Sequence, residues 1–141
     1  MSKPELENLA RIGKLVAESP SAREFSGLLA SGNARLADAK REVNSLASRF
    51  DLAYNAAHAF ALAALRWHGY RSDNRYLVFQ SLPHTLGLEM PLCRILAKAH
   101  EMRNLAEYEG HLEIGERFLV DLIAAADAVK TAATKLPVPK S

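Results

Sequence analysis

The sequence predicts an all-α protein, an up-down bundle of five to six helices. Three observations carry this. Alanine, the best helix former, is abundant, while Gly and Pro number only 7 and 6 and fall at a few punctuation points. Apolar residues recur three and four apart over long stretches, the spacing of a helix with one buried face. Alternating, β-branched runs of the kind that make strands are scarce.

Taken in order, the first helix is expected over 4–18, with Leu6, Leu9, Ile12 and Val16 as its apolar stripe. Ser19-Pro20-Ser21 ends it, and Ser21 with Glu24 has the spacing of a capping box. A second helix follows to about residue 30. Ser31-Gly32-Asn33 marks a turn or kink, and a third segment covers 34–46. The strongest segment is 48–67, where Phe50, Tyr54, Ala57, Ala61 and Leu65 share one face and alanines stand at 53, 56, 57, 59, 61, 63 and 64. Small side chains let neighbouring helices approach closely, so this helix belongs at the centre, buried nearly all round. Gly69 in His68-Gly69-Tyr70 closes it. Asp73 can cap a short helix over 74–82, and Pro91 suits the first turn of the next, which runs to about 108 and stops at Gly110. A last helix is expected over 112–133, with Phe118, Leu122, Ala126 and Val129 facing inward. The division is an N-terminal helical arm at 1–19, a bundle at 20–134 and a flexible tail at 135–141, rich in proline.

Composition bounds the function. At 141 residues, 49% of them hydrophobic, the chain fits one domain with a real core. A net charge of +2 does not by itself predict a nucleic-acid partner. Arg and Lys at 35, 40, 41, 49, 66, 71 and 75 are read as solvated surface charges rather than a groove lining. The single cysteine, Cys93, rules out an internal disulfide and a paired-thiolate metal site, and its apolar setting makes it a small core residue. No nucleophile elbow, phosphate-binding glycine loop or zinc-protease motif is present, so neither cofactor nor metal is expected. The N-terminus lacks the apolar core of a signal peptide, and no apolar run nears the ~20 residues that span a bilayer. The expected compartment is the cytoplasm, with no membrane partner.

One position does not fit the core. At about 100° per residue, Leu92, Ile95, Leu96, Ala99 and Ala106 share a face, and Arg103 falls in the middle of it. A guanidinium there is costly unless it is paired or faces a wet cleft. Glu107, one turn on, could pair with it; alternatively the charge holds a phosphate. Asn104 and Tyr108 are the adjoining polar groups. Of the remaining histidines, His58 is expected as a satisfied packing residue, His68 in a helix-end turn and His84 in a loop. None has an i,i+4 partner of metal-ligand type.

Three stretches then resemble bacterial HEPN-domain proteins: Arg49-Phe50-Asp51-Leu52-Ala53-Tyr54-Asn55-Ala56-Ala57, Leu65-Arg66-Trp67-His68-Gly69-Tyr70, and Arg103-Asn104-Leu105-Ala106-Glu107-Tyr108-Glu109-Gly110. The resemblance covers about 20–133 and extends to the order of the helices. It implies an up-down bundle that dimerises, with an R-x4-6-H motif from each subunit meeting in a cleft. Many such domains are metal-independent endoribonucleases, often toxins paired with a nucleotidyltransferase-like antitoxin; others bind nucleotides or RNA without cutting. Arg103 matches the motif arginine and Asn104 its polar follower, but Tyr108 stands in the histidine place. Tyrosine is a poor base near neutral pH, where histidine is a good one. The motif is therefore degenerate.

The expected function is a HEPN-like nucleotide- or RNA-binding domain, a homodimer, holding its ligand with Arg103, Asn104, Glu107, Tyr108, His100 and His111. The alternatives are a metal-independent endoribonuclease of a toxin-antitoxin type, with Arg103, Asn104 and Tyr108 catalytic and His100 or His111 in place of the missing histidine, and a purely structural partner protein.

Overall fold

The computed structural model describes residues 3–110 and 113–140. Among these residues seven helices and two very short strands follow one another: α1 (Lys3–Arg11), β1 (Val16–Ala17), α2 (Ala22–Ala39), α3 (Leu46–Trp67), β2 (Tyr70–Arg71), α4 (Arg75–Gln80), α5 (Leu82–Thr85), α6 (Met90–Glu109) and α7 (Glu116–Thr134). The fold is an all-α bundle, as the composition predicts.

α3 is the axis of the bundle, with α2 and α7 packed along it and α4 and α6 on another side. Its alanines at 53, 56, 57, 59, 61, 63 and 64 are all buried, together with Phe50, Tyr54, Phe60 and Leu65. The absence of large side chains at these positions is what lets several helices close on one. Each of the first two long helices starts where a hydroxyl can cap it. Ser21 accepts from the Glu24 amide and Ser45 from the Ser48 amide. Gly110 ends α6 in the left-handed conformation, φ 76°, and Gly69 follows α3 at φ 90°; both are conformations that favour glycine.

Four local expectations are corrected. The first helix stops at Arg11, not residue 18, so Ile12 and Val16 are exposed and Leu15 takes the buried place. Gly13, at φ 81°, turns the chain, and β1 pairs antiparallel with β2, Val16 opposite Arg71 and Ala17 opposite Tyr70. Ser31-Gly32-Asn33 is no break. α2 runs straight through it, because Gly32 is where the helix lies against the Phe60 ring. Asn74, not Asp73, caps α4, accepting from the Leu77 amide at 3.1 Å. His84 lies in α5, not a loop.

Arg66 is the largest correction. Read as a surface charge, it is 1% exposed. Its Nε donates to Glu24 at 2.6 Å, and its Nη atoms donate to the carbonyls of Glu18 at 2.9 Å and Ser19 at 2.7 Å. Arg71 also pairs with Glu24 and Glu18. Burial pushes the Glu24 carboxyl up, but hydrogen bonds and charge from Arg66 and Arg71 outweigh it and hold it below the usual carboxylate range. This network clamps the segment joining α1 to α2 onto the end of α3. At the other terminus, Trp67 Nε1 donates to the Pro137 carbonyl at 2.8 Å. Among the described residues no helix is long and apolar enough to cross a membrane.

Candidate functional site

Arg103 lies at the edge of the core rather than inside it. Its side chain is 31% exposed, with Nη1 3.2 Å from Glu107 and Nε 3.9 Å from Asp51. It is thus paired with two exposed carboxylates and partly open to solvent. The helical period put it on the inward line, but the last turns of α6 run out beyond the bundle, so that line is only half covered.

What lies beneath Arg103 is Tyr54 of α3. The guanidinium carbon is 5.2 Å from the centre of the Tyr54 ring, and that of Arg75 from α4 is 5.5 Å from it. Both distances suit a cation over an aromatic ring. Arg75 is oriented by donating to Asn55 Oδ1 at 2.8 Å. Two positive charges from different helices therefore converge on one buried tyrosine.

His100 completes the arrangement. Its Nδ1 is 2.8 Å from the Tyr54 hydroxyl, and its Nε2 is 3.2 Å from the Asn104 amide nitrogen. With that amide donating to Nε2, the neutral ring carries its proton on Nδ1 and donates it to the Tyr54 oxygen. Turning the amide over satisfies the same chain in the opposite sense. Burial, then the charges of Arg103 and Arg75, hold the His100 pKa below its ordinary value. Its neutral form therefore dominates at pH 7. Burial also raises the Tyr54 phenol, against the pull of both arginines.

His58 sits deeper, edge-on to Phe79 with ring centres 6.0 Å apart. It is not the satisfied packing residue its position suggested: its Nε2 is buried without a hydrogen-bond partner. Burial, with Arg75, His100 and Arg103 adding to it, lowers its pKa to about 4. Among the described residues, no three His, Cys, Asp or Glu side chains gather as metal ligands would.

Of the residues the sequence nominated, the structure brings together His100, Arg103, Asn104 and Glu107. Tyr108 stands apart, 91% exposed; five residues on from Arg103, it is turned about 140° round the helix from it. His111 lies outside the described residues. Sequence reasoning missed Asp51, Tyr54, Asn55 and Arg75. The one available signal was Tyr54, an inward-facing residue on an alanine helix whose hydroxyl needs a partner.

Cys93 is buried, as its apolar surroundings predict, and burial raises its thiol pKa. No protein-family model, curated protein or solved structure matches the chain.

Proposed function

We propose that the chain is a HEPN-like module that binds RNA or a nucleotide, with the phosphate held between Arg75 and Arg103. The observation that carries this is the convergence of the two guanidiniums on Tyr54, beside a hydrogen-bonded imidazole. Arginine forks match phosphate oxygens in pairs. The acids now near Arg103, Asp51 and Glu107, are both exposed, and exposed ion pairs are worth only about 0–1 kcal/mol, so a phosphate can displace them. Asn104 adds a donor at the same rim. A homodimer belongs to this reading, supported by Leu105 and Tyr108, which stand exposed one turn apart on α6. A nucleotidyltransferase-like partner rests on the family resemblance alone.

The test is a fluorescence-anisotropy titration of a short single-stranded RNA against wild type, Arg75→Ala and Arg103→Ala. Each variant should weaken binding at least tenfold and flatten its salt dependence, because each removes a phosphate contact. Binding that ignores both substitutions refutes the site.

A second reading, a metal-independent endoribonuclease, is favoured by one feature: His100 is neutral at pH 7, oriented by Tyr54 through Nδ1, and its Nε2 meets the exposed Asn104 amide, which a ribose 2′-hydroxyl must displace to hand its proton to the ring. Tyr108 has no part in it. RNA cleavage in EDTA, lost in both His100→Ala and Arg103→Ala, would establish this reading over simple binding.

A further inference from the structure

Tyr76 belongs to two places at once. Its ring centre is 5.9 Å from that of His100, tilted by 40°. It also lines an open cleft of about 470 Å³ bounded by α1, α4, α5 and α6. The walls of this cleft are largely apolar, with Leu9, Phe79 and Ala97 among them, and Gln80, His84 and Arg94 supply polar groups. That volume and that mixture are those of a small-molecule site, which typically spans about 300–1,000 Å³.

The cleft and the charged site are continuous along one face of α6. Ala97, His100 and Asn104 lie three and four residues apart, so they stand above one another. The step from the cleft wall at Ala97 to the imidazole is about 4.5 Å of helix rise. Tyr76 is the link from the α4 side, adjoining Arg75 in sequence. It is a large aromatic ring left 43% exposed on a short helix, and Gln80 holds it by donating to its hydroxyl at 3.0 Å.

We propose that this cleft receives an unpaired nucleobase, stacked on Tyr76, from the same ligand whose phosphate lies between Arg75 and Arg103; this rests on the RNA- or nucleotide-binding reading above. Charge complementarity selects the occupant: the cations beside the cleft require an anion attached to whatever flat, apolar group enters it. An aromatic wall with a few hydrogen-bonding groups is what an unstacked base needs. A base inside a duplex has both faces covered by its neighbours and does not fit. The site therefore takes single strands, loops or free nucleotides, and rejects continuous double helix.

The test uses the full chain and three probes of equal length: a single-stranded oligoribonucleotide, the same strand with abasic ribose residues, and its duplex. Wild type should bind the first about tenfold more tightly than either of the others, a factor within the usual worth of one stacked base. Tyr76→Ala should remove that preference and Tyr76→Phe retain it, with unfolding curves confirming that both variants are folded. Ala97→Phe, which fills the cleft from α6, should remove the preference while abasic binding persists. Equal binding of the base-bearing and abasic strands, both weakened by Arg103→Ala, overturns the base cleft and leaves the phosphate site standing. Equal affinity for the duplex also overturns the base cleft. Binding of no probe overturns both proposals.

Discussion

Gly27 and Gly32 lie in one helix, and the same substitution at each should move stability in opposite directions. A Cβ built on Gly32 meets three atoms of the Phe60 ring at 2.6, 2.7 and 2.9 Å. Carbon atoms rest about 3.5–4.0 Å apart, so the misfit approaches 1 Å. Phe60 is fully buried, and a rigid ring inside a packed core has little room to withdraw. Such overpacking costs about 1–3 kcal/mol. Alanine returns about 1 kcal/mol through its better helix propensity. Gly32→Ala should therefore destabilise by up to about 2 kcal/mol. At Gly27, which is exposed, nothing lies within 4 Å of the added carbon, and Gly27→Ala should stabilise by about 1 kcal/mol. Urea unfolding followed by far-UV circular dichroism reads both. With a slope of about 1–3 kcal/mol per molar, the two midpoints should lie roughly 1 M apart, on either side of wild type. Midpoints that rise together would mean that α2 does not rest on Phe60 at Gly32, and the seating of α2 on α3 would be wrong.

Two further outcomes follow from the buried polar groups. Arg66→Ala should cost about 3–5 kcal/mol in urea unfolding, because it strips the Glu18 and Ser19 carbonyls of a donor and leaves Glu24 only Arg71; a loss under about 1 kcal/mol would show that the clamp is dispensable. His58, with its pKa lowered to about 4 from the ordinary 6.5, makes the unfolded chain the better proton binder between those values. Its contribution is thus intact above about pH 6.5 and is lost as pH falls toward 4, by about 2 kcal/mol between pH 7 and pH 5. The gap between unfolding midpoints at the two pH values should shrink in His58→Phe, the lowered His100 leaving a remainder, and an unchanged pH dependence in that variant would show that His58 is not buried as a neutral ring. Glu24 acts only at lower pH, below the ordinary carboxylate value.

The sequence by itself determined the fold class, the central place of α3, the start of α2 and, within about two residues, both ends of α3 and α6. These depend on local chemistry. Alanine spacing decides how closely other helices can approach, a serine three residues before a free amide decides where a helix starts, and a glycine with positive φ decides where one stops. It also singled out Arg103 as a charge on an inward line, and placed His100, Asn104 and Glu107 on the same helix. What only the tertiary structure decided is which groups those lines meet. A helical period fixes the direction of a side chain about its own axis, and nothing in it names the partner facing that direction. Arg66 and Arg75 looked alike as surface cations; one closes a buried clamp and the other stands over Tyr54. Gly32 looked like a break because glycine usually is one; Phe60, 28 residues away in sequence, makes it a packing requirement. Tyr54 and His100 are 46 residues apart and hydrogen-bonded, a pairing set by how α3 and α6 cross, which only the assembled core determines.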